Sequence, residues 1–227
     1  MSPKAETSFN WAIYADATFA GLSALVPVIG LDWLFEQFFK RRIPGAIAKN
    51  HDKTLPLAVK IELNKNHSQT GCVRSCLLLP VLTGFWLLKK FSKKILYFLS
   101  VKEAADNVNT YWHQAFLIDY ALVAGHLETP ESARKARITI DGVIETTVGS
   151  PLYPLAGQIV EHVPHVLRTF FKVLRGKNSN VANQTQAAMS DKWAEFAAYL
   201  QTVAQKYEQN YQAAELNPPI TQQKEAS

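Results

Sequence analysis

Apolar residues recur along this chain at helical spacing, and the pattern predicts helices almost throughout. Phe9, Trp11, Ile13, Ala17 and Ala20 suggest a short first helix with Asp16 inside it. Leu31, Leu34, Phe35 and Phe38 then fall at i, i+3, i+4 and i+7, an apolar face, while Asp32, Glu36 and Lys40 fall on another. Glu36 precedes Lys40 by four residues, the favourable order for a helical ion pair. Asp32 in the first turn and Lys40, Arg41 and Arg42 in the last suit the helix dipole, and Pro44 with Gly45 is expected to end the helix. After a mixed polar connector over 46–70, with a short helix expected from Pro56 to Leu63, Phe85, Leu88, Phe91, Ile95, Phe98 and Leu99 form a stripe. Lys89, Lys90, Lys93 and Lys94 lie opposite it.

The longest regular helix is expected from about Lys102 to Leu127, where Trp112, Phe116, Tyr120, Val123 and Leu127 make a core stripe and Gly125 lies near the end. Thr129, Pro130 and Glu131 have the order N-cap, N1 and first-turn acid for the next helix, which carries Ile140, Ile144 and Val148 inward and stops at Gly149 to Pro154. Ile159, Val163, Leu167, Phe170 and Leu174 predict another helix, bent at Pro164, with Arg168, Lys172 and Arg175 on a separate face. Ser190 is placed to cap a C-terminal helix ending near Glu215, with Trp193, Phe196, Ala197, Leu200, Ala204, Tyr207 and Tyr211 as its stripe.

One plan occurs three times: an apolar run broken by Pro and Gly, then an aromatic helix, then cations. It runs from Thr18 to Pro44 with breaks at Pro27 and Gly30, from Cys76 to Leu99 with breaks at Pro80 and Gly84, and from Gly149 to Lys177. The expected architecture is all-α, a bundle of six to eight helices with Pro/Gly-broken apolar hairpins. Residues 1–175 form the body, 176–189 a Gly/Asn/Ser/Gln linker, 190–215 an amphipathic helix that docks back or pairs with a partner, and 216–227 a disordered tail.

Composition narrows the classes. Charged residues are 19% and hydrophobic ones 48%, less charge than soluble domains usually carry, which fits contact with something apolar. The excess of 24 Lys+Arg over 19 Asp+Glu, a formal +5, favours anionic partners. Because the cations follow large apolar surfaces rather than Gly-rich platforms, a lipid surface is expected ahead of nucleic acid. Cys72 and Cys76 make no secreted disulfide scaffold, and MSPKAETSFN lacks the features of a secretory signal, so a reducing compartment is expected. The longest uncharged runs, 15, 14 and 15 residues, fall short of the roughly 20 needed to span a bilayer.

Candidate chemistry is sparse. Glu161, His162 and His165 share a helical neighbourhood but lack further ligands, so no metal or cofactor is expected. Asp119 and His126, seven residues apart, would be separated by roughly 10 Å of helical rise and need another helix to make a polar site. Asp16, Asp32 and Asp119 are acids in apolar segments, better explained as caps or ion pairs than as acid/base catalysts. No phosphate-binding loop, dinucleotide fingerprint or nucleophile elbow occurs, which disfavours an enzyme.

The stretch ALVPVIGLDWLFEQFFKRRIPGAIA, Ala24 to Ala48, resembles the Pro-x-x-Gly-x-Asp hairpin of bacterial DUF697-like and EcsC-like helical proteins. The resemblance implies a membrane-associated apolar hairpin shaped by Pro27, Gly30 and Asp32, in a family often found beside a GTPase domain or a transport operon. The Tyr-Gly ending of that hairpin is missing here. The resulting expectation is a non-enzymatic protein on the cytoplasmic face of an anionic membrane. Trp33, Phe35, Phe38, Trp86, Phe91, Phe170 and Phe171 would supply apolar contact; Arg41, Arg42, Lys89, Lys90, Lys93, Lys94, Arg168 and Lys172 would attract headgroups. The alternatives are a soluble helical adaptor or oligomer subunit, and an enzyme or carrier with an apolar pocket near Asp119 and His126.

Overall fold

The computed structural model describes residues 10–26, 31–65, 93–147, 149–161 and 180–216. Among these the chain is all-helical, without a strand. Among the described residues seven α-helices pack as a bundle: α1 Trp11–Leu22, α2 Leu31–Asn50, α3 Leu57–Asn64, α4 Lys93–Val123, α5 Pro130–Glu145, α6 Leu152–Glu161 and α7 Asn180–Leu216. A 3-10 turn, Ser23–Leu25, follows α1.

α4 is the axis. Val108, Trp112, Ala115, Leu117, Ile118 and Ala121 are wholly buried on it, which makes it apolar around most of its circumference, and α1, α2, α5, α6 and α7 all pack on it. α1 and α2 form an antiparallel hairpin. Asn10 caps α1 by accepting from the Ala12 N–H at 3.0 Å, and its amide donates to Asn50 at the far end of α2 at 2.8 Å. At Gly21 α1 lies so close to α4 that a Cβ would come within 2.5 Å of Val108 Cα, so only glycine fits without backbone movement. Nearby, Trp112 Nε1 donates to Thr18 Oγ1 at 2.9 Å, and the Thr18 hydroxyl donates to the Tyr14 carbonyl at 2.9 Å.

The connection from α4 to α5 follows its local sequence. Gly125, at φ +80°, sits just past the helix. The His126 N–H reaches the Ala121 carbonyl at 2.9 Å and the Gly125 N–H the Leu122 carbonyl at 3.4 Å, a Schellman ending. Thr129 then caps α5 by accepting from the Ser132 N–H at 3.1 Å, with Pro130 and Glu131 in the first turn as expected.

Four expectations need correction. α2 does not stop at Pro44 but runs on to Asn50. A proline forfeits one intrahelical bond, and here burial of Phe39, Ile43, Ile47 and Ala48 outweighs that loss. Residues 180–189, read as linker, belong to α7, since after Gly176 the stretch holds no Gly or Pro and is rich in Ala and Gln. Val123, assigned to the α4 stripe, is 47% exposed, whereas Trp112, Phe116, Tyr120 and Leu127 are buried as predicted. Pro154 does not break α6, because it occupies the first turn, where backbone N–H groups have no helical acceptor anyway. α7 docks on α4, α5 and α6 and buries Trp193, Phe196, Leu200, Ala204, Tyr207 and Tyr211 within the molecule.

Candidate functional site

The apolar surface of α2 is divided between two destinations. Leu31, Phe35, Phe39 and Ile43, spaced by four, turn inward; Phe39 and Ile43 are fully buried and Phe35 is half-buried against the core. Leu34 and Phe38, grouped with Leu31 and Phe35 by the sequence pattern, point outward instead. Trp33 is 60% exposed, Leu34 52% and Phe38 44%. A helix anchored on one side normally turns polar residues to solvent, so three large apolar side chains on the outward face of one helix depart from the usual pattern.

Cations border this face. Arg41 is exposed beside it, and the Arg42 guanidinium stands over the Phe38 ring, 5.3 Å from its centre. Arg42 also pairs with Asp16 at 3.4 Å. Burial pushes the Asp16 carboxyl up, and the charge and hydrogen bond of Arg42 pull it back. The Arg42 charge is therefore partly neutralised from within the fold, leaving Arg41 as the more available cation. Lys40 turns inward toward Tyr111. Asp32 lies half-buried in the first turn of α2.

Three histidine clusters tie the bundle together. His51 Nε2 lies 2.6 Å from Asp119 Oδ1, joining the end of α2 to α4. His113 Nδ1 donates to the Asn109 carbonyl at 2.7 Å, and its Nε2 accepts from the Tyr199 hydroxyl at 2.7 Å, with Ser150 Oγ 3.4 Å away. Burial pushes the His113 imidazole below its ordinary pKa, against the bond to Asn109, which raises it. His126 stacks flat on Tyr211 at 3.9 Å and meets the Tyr207 hydroxyl at 3.2 Å; Lys135 Nζ lies 3.9 Å from the Tyr211 ring centre. Burial, first of all, raises the Tyr207 phenol far above its usual range. Asp119 and His126, the candidate polar pair, take these partners from different places, His51 in the turn after α2 and Tyr207 and Tyr211 on α7.

Ser150 approaches His113 as a nucleophile would approach a base, yet its oxygen accepts the Leu152 N–H at 3.1 Å and caps α6. The arrangement is that of a buried cap joined to the α7 docking contact. Among the described residues no group of three or more His, Cys, Asp or Glu side chains is placed to hold a metal ion, and no helix is long and apolar enough to cross a membrane.

Pro27, Gly30, Pro80, Gly84, Trp86, Lys89, Lys90, Phe91, Arg168, Phe170, Phe171 and Lys172 lie outside the described residues, as do Cys72, Cys76, His162 and His165. Lys93 and Lys94 open α4, with the backbone alone described. Sequence pattern missed the outward turn of Leu34 and the inward turn of Lys40. It also missed Arg137, which replaces an apolar residue on the inward Ala133, Ala136, Ile140 and Val143 face of α5. That polar interruption was the available signal. Comparison with protein-family models, curated proteins and solved structures returns no match.

Proposed function

We propose that the protein attaches peripherally to an anionic membrane surface through the outward face of α2, in a non-enzymatic role on the cytoplasmic side. The observation that supports this is the exposure of Trp33, Leu34 and Phe38 on a helix whose opposite face is fixed in the core, with Arg41 alongside. Aromatic and aliphatic side chains enter the headgroup boundary while cations remain at its surface, so apolar burial and electrostatic attraction act in the same direction. The formal +5 of the chain adds a weak, longer-range attraction of the same sign.

Flotation of detergent-free protein with neutral and anionic liposomes, at low and high salt, tests the reading. Attachment to anionic vesicles that weakens with salt is the expected result. Protein that remains unbound in every condition sinks it, and the α2 face then belongs to a protein interface, as a soluble adaptor would require.

A further inference from the structure

Leu34, Phe38 and Arg42 follow one another at spacings of four along α2, and all three are exposed, so the outward apolar row ends in a guanidinium. Two neighbours share that guanidinium. It stands over the Phe38 ring, 5.3 Å from its centre, and its Nε lies 3.4 Å from Oδ1 of Asp16 on α1. The Arg42 side chain is 56% exposed against 10% for Asp16, and Nη1 and Nη2 have no partner among the described residues. The pair is thus a buried carboxylate behind a cation whose outer nitrogens remain available.

A guanidinium is a planar fork of donors that matches the oxygens of a phosphate, and Asp16 engages this one through Nε, leaving both terminal nitrogens. Contact with Phe38 holds the fork beside the aromatic and aliphatic groups of the face, where a phospholipid presents its phosphate once those groups enter the headgroup boundary. Asp16 opposes that binding, because its charge cancels part of the attraction that Arg42 exerts on an anion. Burial raises the Asp16 carboxyl above its ordinary value, and the charge and hydrogen bond of Arg42, the smaller causes, lower it. Asp16 therefore takes up a proton more readily than an exposed carboxylate. Among the described residues Arg42 is the charged group that acts on it. The contacts of α1 with α4 at Val108 and Trp112, and with α7 at Trp193, bring no titrating side chain.

We propose that Arg42 is the headgroup-binding residue of the α2 face, its terminal nitrogens donating to the phosphate of an anionic phospholipid, and that the Asp16 carboxylate behind it restrains this binding until it is protonated. The proposal rests on attachment of that face to an anionic membrane and adds its regulation by pH. A phosphate on Arg42 draws the guanidinium charge away from Asp16 and favours the protonated acid, so by linkage lower pH and anionic lipid act in the same direction.

Co-sedimentation of the full chain with phosphatidylcholine vesicles containing phosphatidylglycerol, at constant ionic strength, provides the test. Near neutral pH, Asp16→Asn should bind about fivefold more tightly than wild type, the worth of one further cation at an anionic surface. Asn keeps the shape of the acid and removes its buried charge. The two proteins should converge as pH falls and wild-type Asp16 takes up its proton; titrating histidines act on both alike, so their difference alone is read. In an Arg42→Gln background the same substitution should change binding by less than about twofold, because an unpaired buried carboxyl holds its proton more firmly. An equal gain in both backgrounds overturns the proposal, since net charge alone then suffices. Equal binding of wild type and Asp16→Asn overturns it while the attachment of α2 stands, whereas wild type that binds no vesicles at any pH overturns both. Should Asp16→Asn not fold, exposed Arg42 supplies the decision: wild-type binding should rise severalfold more than that of Arg42→Gln as pH falls, and an equal rise refutes the restraint.

Discussion

Replacing Trp33 and Phe38 together by alanine should detach the protein from anionic vesicles while leaving its fold intact. Trp33 is 60% exposed and Phe38 44%, which, for side chains of about 250 and 200 Å², puts roughly 240 Å² of aromatic surface in water. If about half of that area enters the headgroup boundary, at about 25 cal/mol per Å² the loss is on the order of 3 kcal/mol, or roughly a hundredfold in the partition coefficient. Stability should change by no more than about 0.5 kcal/mol for each exposed position. Vesicle co-sedimentation across a lipid titration measures the first quantity, and urea unfolding of the same samples measures the second. Binding within a factor of three of wild type, with unfolding unchanged, would refute the assignment of this face to lipid. A large loss of stability would instead refute the placement of both rings outside the core.

Two further predictions concern the core. Thr18→Val removes the acceptor of the buried Trp112 N–H while preserving shape, so it should cost about 1–3 kcal/mol and lower Tm by several degrees. Thr18→Ser should recover most of that loss in thermal unfolding, whereas equal melting of Thr18→Val and wild type would contradict the bond. His113 has its folded pKa depressed below the ordinary 6.5, so below that pH the unfolded chain takes up a proton that the folded chain refuses. The stability that this group contributes is complete above pH 6.5 and is lost as pH falls toward the folded value, with a limiting slope of about 1.4 kcal/mol per pH unit. The stabilities of wild type and His113→Gln should therefore converge as pH falls below about 6.5; a constant difference would refute the depressed pKa.

What could be read from sequence was local. Gly125, Thr129, Pro130 and Glu131 act on their own backbone and immediate neighbours, so the α4 to α5 connection followed from residue type, as did the stripe of α7. The orientation of α2 did not, because Leu31, Phe35 and Phe39 compete with Trp33, Leu34 and Phe38 for the interior. Periodicity finds both sets, and the packing of α1 and α4 chooses between them. Pro44 misled for a related reason: a local penalty was weighed without the burial of Ile43 and Ile47 that overrides it. Arg137 faces the interior among Ala133, Ala136, Ile140 and Val143, and only Asp141, one turn further along the same helix, offered a partner that spacing alone could reveal.

The close approach at Gly21 also restricts how α1 can lie on α4. Many apolar side chains tolerate exchange, and an α1 stripe of Ile13, Ala17 and Ala20 would bury similar area if displaced by one turn along its neighbour. Such a displacement would bring a residue with a Cβ to the slot at Val108, where there is space for a hydrogen alone. The helix pair thus has a single permitted register. A contact of negligible area supplies the uniqueness that hydrophobic burial by itself leaves open.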